Sequence, residues 1–136
     1  MFLGGDMTDI NKLILITNNS VVEDAFKGKI KLETVETHKD VLIKARDYIY
    51  KDYKLVTHPM ASSIKPNQTP FRSIIVMPKG NDDNTDDIMM IEEALESYRK
   101  FEGEKGATAW YRDQTDNDFK LIDYYLIEDA IPHLTR

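Results

Sequence analysis

Apolar runs and amphipathic stretches alternate along the chain. Lys12-Leu-Ile-Leu-Ile-Thr17 is apolar without a break, the pattern of a strand buried on both faces. Ser20-Val-Val-Glu23 has the spacing of a capping box, with a hydroxyl at the helix start and a carboxylate three residues on, so a short helix running toward Gly28 is predicted. Ile30 to Thr34 alternates apolar and polar side chains, as an edge strand would. After Thr37, the positions Val41, Leu42, Ala45, Tyr48 and Ile49 form one helical stripe that ends before Tyr53. Tyr53 to Thr57 reads as a short strand halted by Pro59, and Phe71 to Met77 as another, closed by Pro78 and Gly80.

From Thr85 the residues Ile88, Ile91, Ala94, Leu95, Tyr98 and Phe101 describe a long amphipathic helix, with Asp86 and Asp87 in its positive first turn. Gly103 to Asp118 has no period and reads as a loop. Phe119 to Ile131 is ambiguous: Phe119, Ile122, Leu126 and Ala130 fit a helix, while its Ile and Tyr content would also suit a strand, and it is read as a helix. The order β-α-β-α-β-(loop)-β-α-α implies an α/β fold in three layers: a mostly parallel four-stranded sheet with helices on both faces, Rossmann-like or flavodoxin-like. Residues 1–10 read as an N-terminal extension, with Met7 a candidate initiator, and residues 11–136 as a single α/β domain.

Composition narrows the chemistry. Hydrophobic residues make up 41% of the chain and no apolar run approaches the roughly 20 residues that cross a bilayer, so no membrane role is predicted. A net charge of −6 and a pI near 5.0 argue against a surface that tracks phosphates, and nucleic acid is not expected as a partner. The absence of cysteine excludes a thiolate nucleophile, a disulfide or a Cys-ligated cluster within this chain. Without a secretory pattern at the start, a cytoplasmic location is expected.

In an open parallel sheet, ligands bind beyond the carboxyl ends of the strands, where strand order reverses. With a 2-1-3 order, the first and third strands would be neighbours. Thr17, Asn18 and Asn19 would then meet Thr57, His58, Pro59 and Met60 at one rim. The segment from Thr57 to Phe71 holds three prolines, stiffer than a plain linker, together with Ser62, Ser63, Lys65, Asn67 and Thr69. A helix starting at Ser20 would turn its free amides to the same rim and favour an anion. The predicted ligand site is therefore Thr17, Asn18, Asn19, Ser20, Thr57, Ser62, Ser63, Lys65, Asn67 and Thr69, with Lys65 as anion clamp. His58 is the candidate acid or base, because a neutral imidazole titrates near physiological pH. The competing reading is that the asparagines form a turn and cap and that the prolines shape a connection.

His38 and His133 have no metal-ligand spacing with His58, so no metal and no cofactor are predicted. Asp82, Asn84, Asp86 and Glu93 fall at the first, third, fifth and twelfth places of a calcium loop. Asp87 stands where that loop needs glycine, and a solvated loop with a helix cap is the expected reading. Trp110 and Tyr111 lack a stacking motif and are expected to pack.

Ile16-Thr-Asn-Asn19, Leu55-Val-Thr-His-Pro-Met60, Ser63-Ile-Lys-Pro-Asn-Gln-Thr-Pro-Phe71 and Asp118-Phe-Lys-Leu-Ile-Asp123 together resemble the GrdX family over nearly the whole chain after Asn11. The Thr-His-Pro and Lys-Pro-Asn-x-Thr-Pro segments are the specific parts. Ser20 stands where proline is common in that family, and Gln68 where Glu is common. The resemblance implies an accessory protein of a glycine, sarcosine or betaine reductase system in amino-acid-fermenting anaerobes, and brings no catalytic residues with it. The leading expectation is thus an accessory protein that binds a small anionic ligand or a reductase-system protein at the rim. Two alternatives stand: an enzyme acting on a small phosphorylated or carboxylated metabolite through His58, and a purely structural partner. Homo-oligomerisation is compatible with each.

Overall fold

The computed structural model describes residues 10–60, 69–101 and 112–135. Expectations for Ser62, Ser63, Lys65, Asn67, Trp110, Tyr111 and the stretch around Met7 lie outside these residues. In chain order the elements are β1 (Ile14–Thr17), α1 (Ser20–Phe26), β2 (Lys31–Thr34), α2 (His38–Ile49), β3 (Tyr53–Leu55), β4 (Ser73–Pro78), α3 (Thr85–Phe101) and α4 (Arg112–Thr135).

The α/β order is the expected one, but the sheet is mixed. Its strands lie in the order β2-β1-β4-β3; β1 pairs parallel with β2, while β4 runs antiparallel to both β1 and β3. This corrects the mostly parallel pairing and the 2-1-3 order: β4 separates the first strand from the third. The physical reason lies in the connection between β3 and β4. It carries no described helix to lift the chain over a sheet face, and a parallel return usually depends on such a crossover. The chain comes back beside β3 instead. Because β1, β2 and β3 still share one direction, their carboxyl ends and the amino end of β4 form one rim, with Thr17 opposite Ser73.

Strand β1 is buried on both faces, as its unbroken apolar run requires. Ile14 and Ile16 join Ile74 and Val76 beneath α2 and α3, which supply Val41, Leu42, Ile49, Ile91 and Leu95. Leu13, Leu15 and Ile75 lie on the other face under Val22 and Phe26 of α1 and Ile127 of α4. Burying side chains of this size contributes about 1.5–3 kcal/mol each, so two such layers dominate the stability of the fold.

Helix starts show which polar residues the fold consumes. The N-cap of α1 is Asn19, whose side chain accepts from Val21 N, so the predicted cap at Ser20 moves back one residue. Asn forms the cap as well as Ser does and also reaches α4. Thr37 caps α2 by accepting from Asp40 N. The acidic stretch serves α3 and the sheet edge: Asp83 accepts from Thr85 N, Asn84 donates to Ile49 O and Tyr53 O, and Asp87 accepts from Leu55 N on edge strand β3.

Helix α4 begins at Arg112, well before Phe119, so the end of the predicted loop is helical. Polar residues from Asp113 to Asp118 give that turn no apolar period, and only the continuous backbone marks it as helix. Its inner face does not follow the spacing that marks it as a helix in the sequence. Asp123 and Ile127 are buried, whereas Ile122 is exposed. Among the described residues no helix is long and apolar enough to cross a membrane.

Candidate functional site

The rim is organised by a directed line of hydrogen bonds. Asp123, only 4% exposed, accepts from Ser73 N at 2.9 Å, from Ser73 Oγ at 2.6 Å and from Asn19 Nδ2 at 3.0 Å. Ser73 has one hydroxyl proton and gives it to the carboxylate. The 2.7 Å contact between Ser73 Oγ and Thr17 Oγ1 must then run from Thr17 to Ser73. Thr17 Oγ1 in turn accepts from Asn19 N at 2.9 Å. The ends of β1 and β4, the start of α1 and the middle of α4 are thereby locked together around one buried charge.

Both asparagines are spent in this closure. Asn19 places its second amide hydrogen on Lys120 O, 2.9 Å away. Asn18 donates to Pro70 O at 2.7 Å and accepts from Arg72 N at 2.9 Å, fastening the approach to β4. Thr57 accepts from Ile75 N at 3.0 Å and so extends the β3–β4 ladder with its side chain. Thr69 is buried, with its carbonyl 3.0 Å from His38 Nδ1. Since a carbonyl only accepts, His38 carries its proton on Nδ1. Ser20 is exposed and takes a hydrogen bond from Lys120, whose ammonium also lies over the Phe71 ring.

The rim therefore unites Thr17, Asn18, Asn19, Thr57, His58 and Thr69, yet most of their polar atoms already have partners within the chain. His58 differs. It is exposed, its Nδ1 accepts from Met60 N at 2.9 Å, and its Nε2 is left to carry the ring proton.

Arg72 is a rim residue that sequence reasoning missed. It is 4% exposed, and its Nε has no hydrogen-bond partner. Burial lowers its affinity for a proton, and the Asp123 carboxylate opposes that shift. The same guanidinium acts on His38, which burial above all and then Arg72 push down to about 4, against the hydrogen bond to Thr69. Arg72 lines a cleft of about 290 Å³ together with Thr57, His58, Ser73, Leu126 and Asp129. That volume stands at the lower end of small-molecule sites. Among the described residues no group of His, Asp or Glu is arranged to hold a metal ion.

A signal for the missed residues exists in the sequence. Arg72-Ser73 opens an otherwise apolar strand, and Asp123 interrupts the apolar run from Leu121 to Ile127. Charges in such positions are rarely buried without a partner or a task. Nothing local, however, shows that these two meet.

The comparison with known families bears on the whole of this architecture, since residues 14–132 match the GrdX-like protein family. The chain belongs to that family. In this GrdX-like protein the matched span runs from the first residue of β1 into the last turns of α4, and so takes in Asn18, Asn19, His58, Arg72, Ser73 and Asp123. No curated protein and no solved structure matches the chain.

Proposed function

We propose that this GrdX-like protein binds a small anion, a carboxylate or a phosphate, in the rim cleft, and does so as an accessory protein of a glycine, sarcosine or betaine reductase system. Arg72 is the observation that carries the ligand reading. A guanidinium offers five donors in a planar fork that suits two oxygens at once. Here it is buried under the influence of Asp123, whose oxygens already accept from Ser73 and Asn19, while Asp129 is the other carboxylate lining the cleft. An oxyanion in the cleft that Arg72 lines would give the guanidinium a further acceptor and a further countercharge, and charge-assisted bonds of this kind contribute about 1.5–3 kcal/mol. The tie to a reductase system rests on the family alone. With no cysteine in the chain, its role there is binding rather than thiol transfer.

The test is a calorimetric titration of the full chain with phosphate, acetyl phosphate, acetate and glycine. Wild type should bind at least one saturably. Arg72→Gln should lose about tenfold or more in affinity, and Arg72→Lys an intermediate amount, because a lysine keeps the charge without the fork. Urea melts of each variant separate loss of the site from loss of the fold. No saturable binding of any of the four would remove the ligand reading.

His58 supports a second reading, an enzyme acting on the bound anion. His58 lines the same cleft with Nδ1 engaged by Met60 N, which leaves Nε2 as the nitrogen to exchange a proton as a general acid or base does. Turnover of acetyl phosphate that disappears in His58→Gln, with phosphate affinity unchanged, would favour it.

A further inference from the structure

A helix that packs one face on a sheet ordinarily turns charged and polar residues to water on the other. Helix α4 departs from that rule. Its inward side is anchored by buried Asp123 and Ile127, while Leu121 and Tyr125 are 41% and 55% exposed on the outer side and Ile122, 41% exposed, borders them at the flank, where it also lines a small pocket with Phe71 and Asp123. These positions lie one turn apart or adjacent and form a single patch, because residues three and four apart are neighbours on a helix surface. A helix apolar on opposite sides is one with something packed on both.

The charges around the patch say what fits there. Asp118 lies one turn before it, and Glu128 and Asp129 one turn after, all three exposed. From Asp116 to Ile131 the sole cation is Lys120, and its ammonium is drawn away to Ser20 and the Phe71 ring. A second copy is therefore a poor occupant. Pairing two α4 helices antiparallel about this patch would set Asp118 against Asp129 of the other copy, and a parallel pair would set each acid against its equivalent. Like charges brought together at an interface oppose association. We infer that the Leu121–Ile122–Tyr125 face of α4 docks an amphipathic helix of another protein, one with an apolar stripe flanked at both ends by Lys or Arg. Apolar contact supplies the adhesion and the acidic ends select and orient the partner. The inference is independent of the ligand reading for the rim; of its residues, Asp129 also lines the rim cleft and Ile122 a small pocket beside Arg72.

The probe is a fluorescein-labelled, helix-forming peptide with leucines along one face and lysines at both ends of that face. A control peptide has glutamate in place of each lysine. Anisotropy with the full chain should show saturable binding of the lysine peptide with Kd below about 100 µM and none of the glutamate peptide. Leu121→Ser/Tyr125→Ser and, separately, Asp118→Lys should each weaken binding about tenfold. Glu93→Gln/Glu96→Gln on α3 should leave it unchanged, which separates this face from general attraction to an acidic protein. Unaltered urea midpoints would show that the variants fold, as expected for exposed positions. The inference is overturned by absence of saturable binding, by equal binding of both peptides, or by equal loss in the α3 variant. It is also overturned by a concentration-dependent dimer that Tyr125→Ser dissociates, since the occupant would then be a second copy.

Discussion

Burying Asp123 takes a carboxylate out of water, and the hydroxyl and amide of Ser73 with the carboxamide of Asn19 replace that water. Asp123→Asn keeps the shape, turns an amide group toward these donors and removes the negative charge beside Arg72. A loss of about 2–4 kcal/mol is expected in urea unfolding, against less than about 0.5 for exposed Asp118→Asn. Equal midpoints for the two variants would mean that the network contributes no stability. His38 gives the rim a pH dependence. In the unfolded chain it takes a proton near 6.5, but in the fold only near 4, so between these values the unfolded state binds more protons. Stability should therefore fall as pH drops from about 6.5 to about 4 and level off below, by up to about 3 kcal/mol from this residue. His38→Gln keeps a donor for Thr69 O and removes the titration. Its urea midpoint should change less over that window than that of wild type, and parallel curves would refute the assignment.

Among the elements, α1 depends most on a single side chain. Asn19 caps it and also ties it to α4, whereas Ser20 is a surface residue of the first turn. Asn19→Ala should cost about 1–3 kcal/mol and Ser20→Ala less than about 0.5, measured by urea melts. A larger loss at Ser20 would restore the capping box that the Ser20-Val-Val-Glu23 spacing suggests. Strand β3 shows the same economy at the sheet edge. Its Leu55 amide, which could offer a pairing site to another chain, is taken by Asp87.

For the whole molecule, the two apolar layers hold the sheet while the rim brings four elements onto one polar centre. A ligand that binds only the folded state adds stability by mass action, about 2.7 kcal/mol at a hundredfold excess over its Kd. The anion that titrates best in calorimetry should therefore raise the urea midpoint of wild type and leave that of Arg72→Gln nearly unmoved. A rise of the same size in both would place the anion elsewhere on the surface.

The sequence by itself determined most of the elements and their order, because helix and strand periods, caps and prolines act over a few residues, but not where α4 begins. The unbroken apolar run at Leu13–Ile16 required burial on both faces, and the Ile88–Phe101 stripe required a helix. The sequence also suggested that Asn18 and His58 share a rim, but through a pairing of the first and third strands that β4 prevents; they share it because β1 and β3 run in one direction. Only the tertiary structure decided that β4 runs antiparallel between β1 and β3, since strand direction follows from how a distant connection returns and leaves no local period. Likewise only the fold decided which side of α4 faces inward, because that helix is apolar on both sides and its pattern names no buried face. Arg72, Ser73 and Asp123 became a centre for the same reason: 50 residues separate the serine from the aspartate, and neither carries a sign of the other until the sheet and α4 are packed.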